Sequence, residues 1–256
     1  PIVMMKVTKK HTVIYLLLIA FMGLSSCDSG NAPDCLMSVG TIVSNEIAVA
    51  DFDKINIAEG IELIVKQGAE TKVVLETGTN LVPGISISVA DGELFLRNSN
   101  GCNWLREYNT TRVYVTVPDL KNIYSASQFN VKSDGVLHFP DFKLQSGMFA
   151  DTASGIFELE VNCTNLVVED NRASLYRISG YTENLNIAFY SGEERFEGQN
   201  LSVQNVYVFQ RSTNDIIVKP LHEIKGNIYS TGNVVLKSTP STVEVTQHYT
   251  GHLIYN

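Results

Sequence analysis

From Phe52 to Val117 the chain alternates short apolar runs with turn residues. Ile61-Glu62-Leu63-Ile64-Val65 and Lys72-Val73-Val74-Leu75-Glu76 flank the turn-like Lys66-Gln67-Gly68-Ala69. Ile85-Ser86-Ile87-Ser88-Val89 and Val113-Tyr114-Val115-Thr116-Val117 keep a strict period of two, the signature of strands with one buried face. Asp91-Gly92 predicts a tight hairpin into Leu94-Phe95-Leu96, since both residues tolerate positive φ. Pro118 stops the later strand. After residue 27 no window of 11 residues carries a 3.6-residue apolar stripe, so the pattern predicts an all-β protein.

The second half repeats. Asn165-Leu166-Val167-Val168, Asn184-Leu185-Asn186-Ile187 and Asn200-Leu201-Ser202-Val203 begin alike, 19 and then 16 residues apart. Short strands recurring at roughly this period predict a parallel β-helix or solenoid, one coil per repeat. The coils are expected at 120–140, 141–161, 162–182, 183–199, 200–221, 222–240 and 241–256. Ser146-Gly147, Ser154-Gly155, Ser179-Gly180, Ser191-Gly192, Thr231-Gly232 and Thr250-Gly251 are read as coil corners. Leu, Ile and Val of the repeats should stack inward. Asn165, Asn184 and Asn200 are expected to form a side-chain ladder at one corner.

The first 26 residues are expected to be a signal, not fold. Lys6, Lys9 and Lys10 precede an apolar run from Val13 to Leu24, too short to span a bilayer as a helix. Leu24-Ser25-Ser26-Cys27 then resembles the lipobox of bacterial lipoproteins, which gives Cys27 the role of the lipidated residue; an ordinary signal peptide is the alternative. Residues 27–45 read as a polar tether and 46–256 as the folded domain, with coils clearest in 120–256. Removing residues 1–26 takes away three lysines and no acids, moving the formal charge from −8 to −11. An acidic chain without a basic run excludes nucleic acid as a partner and leaves lipid as the tie to the membrane.

With Cys27 modified, Cys35, Cys102 and Cys163 remain. Cys35 and Cys102 lie in loop-like surroundings and are the preferred disulfide; Cys163, before a strand, is then a small buried hydrophobe. Three free thiols are the alternative. The segment from Cys102 to Tyr108 holds the chain's one Trp. Trp104, Arg106 and Tyr108 are read either as a contact loop for a protein or glycan ligand, or as a cap over one end of the β core.

Chemistry is scarce. Cysteine and histidine spacings suggest no metal site, and His248 and His252 are separated by Gly251 in a strand–turn–strand pattern. Glu193-Glu194-Arg195 reads as a solvated turn. No nucleophile elbow, phosphate loop or dinucleotide fingerprint occurs, so no catalytic residue and no cofactor is assigned. A polysaccharide-cleaving enzyme would need carboxylates clustered on one face. Its candidates, Asp134, Asp141, Asp151 and Asp170, are irregularly spaced.

Together, the lipobox, F-D-K-I-x-I-x-x-G-I-x-L-x-V-x-Q-G at Phe52 to Gly68, D-G-x-L at Asp91 to Leu94 and the small-Gly turns resemble the putative auto-transporter adhesin family, head GIN domain. The resemblance implies a right-handed β-solenoid, export as a lipoprotein in Bacteroidetes, a place in the cell envelope at the outer membrane, and no catalytic residues. It makes a non-catalytic adhesin-like or scaffold role the expectation, with a glycan-active or glycan-binding β-helix as the alternative. In such a host Asp151-Thr152-Ala153 matches a short O-glycosylation pattern, placing a candidate modification on Thr152.

Overall fold

The structure, a computed structural model, describes residues 38–101 and 110–256. Cys27, Cys35, Cys102, Trp104, Arg106 and Tyr108 lie outside the described residues. Among the described residues seventeen strands run in chain order. They are β1 (Ile42–Ile47), β2 (Lys54–Ile57), β3 (Glu62–Gln67), β4 (Lys72–Gly78), β5 (Ile85–Ala90), β6 (Glu93–Asn98), β7 (Arg112–Val117), β8 (Asn122–Ser125) and β9 (Val131–Leu137). They continue with β10 (Asp141–Ser146), β11 (Ile156–Asp170), β12 (Leu175–Phe189), β13 (Arg195–Gln210), β14 (Ile216–Ile228), β15 (Val234–Leu236), β16 (Thr242–Gln247) and β17 (Leu253–Tyr255). The protein is all-β, a stack of parallel coils in the manner of a β-solenoid.

Each coil lays one strand on each of two faces. On the first, β6, β2, β8 and β10 pair in parallel and lead to the C-terminal parts of β11 to β14, then β16. On the second, β7, β3 and β9 lead to the N-terminal parts of β11 to β14, then β15 and β17. The long strands cross from one face to the other: Cys163 pairs with Thr182 and Asn165 with Asn184, with Thr164 and Glu183 at the bend between. Coiling therefore starts at β2, well before residue 120. Antiparallel strands close the early end, β5 on β6 and β4 with β1 on β7. The β5–β6 hairpin turns on Asp91 and Gly92 with φ of 51° and 73°, both positive as a type I′ turn requires.

The core follows from parity. Along β11 every second residue is buried, from Phe157, Leu159, Val161 and Cys163 to Leu166 and Val168 past the bend. The same rows recur in each coil, so one apolar column runs from Phe52 to Leu236. Burying such a column contributes about 25 cal/mol per Å² of apolar surface. The Phe157 and Tyr176 rings stack inside it at 4.7 Å. Cys163 is free and buried, as expected of it, and burial pushes its thiol pKa up.

Two expectations need correction. Asn200 is exposed on the second face and does not continue the rung of Asn165 and Asn184; Asn205 pairs with Asn184 instead. The coil step is the cause: β13 stands 20 residues on from β12 before a bulge and 21 after it, while Asn200 follows Asn184 by only 16. Arg177 pairs with Glu197 but Gly180 with Leu201, so β13 carries one more residue than β12 over the same length, and the coil step grows. Ser179-Gly180 sits in that irregular part of β12, whereas the other small-Gly pairs do fall at corners.

Candidate functional site

Alternation on the first face sends Asn165, Asn184 and Asn205 outward, one directly above another. Asn205 Nδ2 donates to Asn184 Oδ1 at 3.0 Å, and Asn184 Nδ2 to Asn165 Oδ1 at 3.0 Å. Asn165 Nδ2 donates to a carboxylate oxygen of Asp141 at 2.6 Å. At the other end His222 Nδ1 lies 3.2 Å from Asn205 Oδ1. Since that oxygen accepts, the network assigns the proton to Nδ1. The ladder is thus polarised along its length, from an imidazole donor to a carboxylate that can only accept, an arrangement in which each bond strengthens the next.

Beside it the next outward row carries Val167, Asn186, Tyr207 and Lys225. The two rows line a groove of about 360 Å³, within the size range of ligand clefts. Tyr207 is 46% exposed there. Lys225 Nζ sits 2.6 Å from Glu223 Oε2 and 3.7 Å from Glu244 Oε2, so its positive charge is taken up by two carboxylates.

Substituting Asn184 by alanine should cost about 1–2 kcal/mol, because it strands an oxygen of Asn165 and an amide of Asn205 at half-buried positions. Urea unfolding of the pair of proteins measures this; an unchanged midpoint would show that the ladder does not hold the coils.

On the second face the outward groups form ion pairs. Glu62 is buried with Arg112 at 2.9 Å and Lys132 at 3.0 Å. Arg177 bridges Glu158 at 3.2 Å and Glu197 at 3.0 Å, crossing three coils. Hydrogen bonds from Arg195 and Arg177 hold the Glu197 carboxyl below its ordinary pKa. A third row, at the corner after the first face, is aromatic: Tyr190, Phe209, Tyr229 and His248 succeed one another at 5.8, 5.1 and 4.4 Å. Tyr229 and His248 are parallel to within 7°, so their facing surfaces cover each other. His252 Nδ1 lies 3.1 Å from Gln247 Oε1.

The four candidate carboxylates are not brought together. Asp134 projects from β9 to Lys66 at 2.8 Å, and Asp141 ends the amide ladder on the other face. Asp151 pairs with Arg172 at a corner cleft of about 400 Å³ that Thr152 also lines. Thr152 is exposed, its hydroxyl donating to Ala126 O at 3.2 Å. Asp170 is inside the solenoid, where it accepts from Tyr176 Oη at 2.9 Å and from the Asn171 and Arg172 amides at 2.7 and 2.9 Å. Burial raises its pKa even so.

Glu194, expected in a solvated turn, is fully buried. Neither carboxyl oxygen has a hydrogen-bond partner among the described residues. Loss of hydration raises its pKa to about 8, with the Asp170 charge adding to the rise. The amides of Glu194, Arg172 and Ser191 oppose the shift without closing a hydrogen bond. Parity carried the missed signal, since Glu194 stands two residues before the buried Phe196. Asn205, Tyr207 and His222 were missed for another reason. Asn205-Val206-Tyr207-Val208 repeats the pattern of Asn165-Leu166-Val167-Val168, but Asn200-Leu201-Ser202-Val203 presents it five residues sooner.

A family described as "Putative auto-transporter adhesin, head GIN domain" matches residues 51–240. Solved structures share the fold at low identity. A putative adhesin from Bacteroides fragilis is 16% identical, with 86% of this chain and 100% of that one covered at a TM-score of 0.77. A putative lipid binding protein from Parabacteroides distasonis is 13% identical, covering 85% and 99% at 0.61. A putative adhesin from Parabacteroides merdae is 16% identical, covering 85% and 98% at 0.57. No curated protein matches the sequence.

Proposed function

This chain belongs to the auto-transporter adhesin family with the head GIN domain, and from that premise we propose a non-catalytic adhesin-like module, lipid-anchored at the outer membrane through Cys27. The family supports an interaction role at the cell surface or envelope. The dispersal of Asp134, Asp141, Asp151 and Asp170 supports the non-catalytic part. Two lie on opposite faces, one pairs with Arg172 at a corner and one is buried, so no two of them flank a common surface cleft as glycosidic cleavage requires. The lipobox supports the anchor, and its rigid stacked coils would then hold the outward rows clear of the membrane.

Labelling cells with palmitate tests the anchor. The protein should take up label and partition with membranes, and Cys27→Ala should abolish both; an unlabelled protein with Cys27 intact would overturn the anchor. Protease treatment of intact cells tests exposure. An adhesin must be cleaved from outside, and full protection would favour an inward-facing scaffold.

A further inference from the structure

We propose that the groove between the amide ladder and Tyr207 binds an extended, neutral glycan strand running along the solenoid axis. This rests on the interaction role above and names its ligand. Three observations carry it.

The first is unused hydrogen-bonding capacity. A side-chain amide has two N–H donors and an oxygen with two lone pairs. Within the ladder Asn184 uses one donor, to Asn165, and one lone pair, for Asn205. Asn165 and Asn205 are used in the same way, toward Asp141 and His222. One N–H and one lone pair per rung are left over, fixed in direction by the bonds already made. Parallel strands repeat about every 4.8 Å, so the leftovers form a regular donor and acceptor series. Hydroxyls along an extended polysaccharide, each both donor and acceptor, match such a series.

The second is the amphipathic lining. Val167 and the exposed Tyr207 ring supply carbon surface beside the amide row. A pyranose has the same division, with an apolar C–H face and polar edges. The ring of Tyr207 differs here from those of Tyr229 and His248, whose facing surfaces are taken up by their mutual stacking.

The third is charge and backbone. Lys225 is shared between Glu223 and Glu244, so the groove offers no unpaired positive charge to hold an anionic ligand. The strands flooring the groove, β11 to β14, are hydrogen-bonded to neighbours on both sides, so an extended peptide has no free edge to join.

The test uses the full lipidated chain in detergent. Cellohexaose, xylohexaose, mannohexaose and chitohexaose are titrated by calorimetry, and the site is located by amide hydrogen exchange. At least one hexasaccharide should bind and protect peptides spanning 184–189 and 205–210. Tyr207→Ala should weaken that binding tenfold or more, and Asn186→Ala should weaken it as well. Tyr255→Ala, at an exposed site on another strand, should leave it unchanged. Both groove positions are exposed, so the variants retain the fold, and a matching unfolding curve checks this. No binding by any hexasaccharide at millimolar concentration, protection elsewhere, or full affinity in Tyr207→Ala would overturn the proposal. If cells bearing the protein still adhere in that case, the adhesin role stands and only its glycan ligand falls.

Discussion

Replacing Glu194 by glutamine will stabilise the protein by about 3 kcal/mol at pH 7, an order-of-magnitude figure from the shift in its pKa. Its carboxyl is fully buried without a hydrogen-bond partner among the described residues, and its pKa rises from 4.5 to about 8. The folded protein therefore holds a neutral acid where the unfolded chain ionises. The sign follows: this group's cost is absent below about pH 4.5, grows as pH rises, and levels off above about pH 8. Glutamine has the same shape and no ionisation. Denaturant titrations at several values between pH 4 and pH 8 should show the two proteins alike in acid and diverging steadily toward pH 8. A constant gap between them would mean that Glu194 is ionised and solvated in the native protein.

Gly226→Ala should be costly for a different reason. Gly226 lies within β14 at φ +136°, and a Cβ there would stand 1.9 Å from the carbonyl oxygen of Val208 on the coil beneath. Left-handed strain and the clash add, giving about 3 kcal/mol and a melting temperature lower by roughly 6–12 °C. Gly135 separates the two contributions. It also has positive φ, +88°, but a Cβ there meets nothing within 4 Å. Gly135→Ala should lose only about 1 kcal/mol, the strain alone. Equal losses at both sites would show that the coils can part locally to admit a methyl group.

The periodicity of the chain carried the architecture well. Alternating runs such as Ile85 to Val89 and Val113 to Val117 fall on strands, and Asp91-Gly92 makes the predicted turn. The parallel stack was legible in the Asn-Leu-x-Val repeats, and so were two rungs of the ladder. Legibility ended where pairing between coils decides the outcome. The coil step of 20 residues, raised to 21 by a bulge, puts Asn205 and not Asn200 on the rung, and nothing local to either residue signals that step. The groove depends on Val167, Asn186 and Tyr207 standing in one row, a relation among three coils rather than within any segment. Glu194 was misread by residue type, because a glutamate beside a turn is usually solvated. Strand parity would have placed it inward. The Cys35–Cys102 pairing and the roles of Trp104, Arg106 and Tyr108 concern residues outside those described.

The first face of the coils thus stands as an expected working surface beside the Cys102–Tyr108 segment, whose residues lie outside those described. The corrections also give the repeats a second part. The leucines and valines close the core, while the asparagines order an outward row of amides that remains able to bind.

Adhesion of whole cells tests the central claim most directly. Cells producing the intact chain, cells producing Cys27→Ala and cells lacking the protein are compared on surfaces coated with neutral glycans. Attachment is expected only with the intact, anchored chain, and no soluble sugar should be released from the coating over time. Equal attachment by all three, or steady release of sugar that depends on the protein, would contradict that claim.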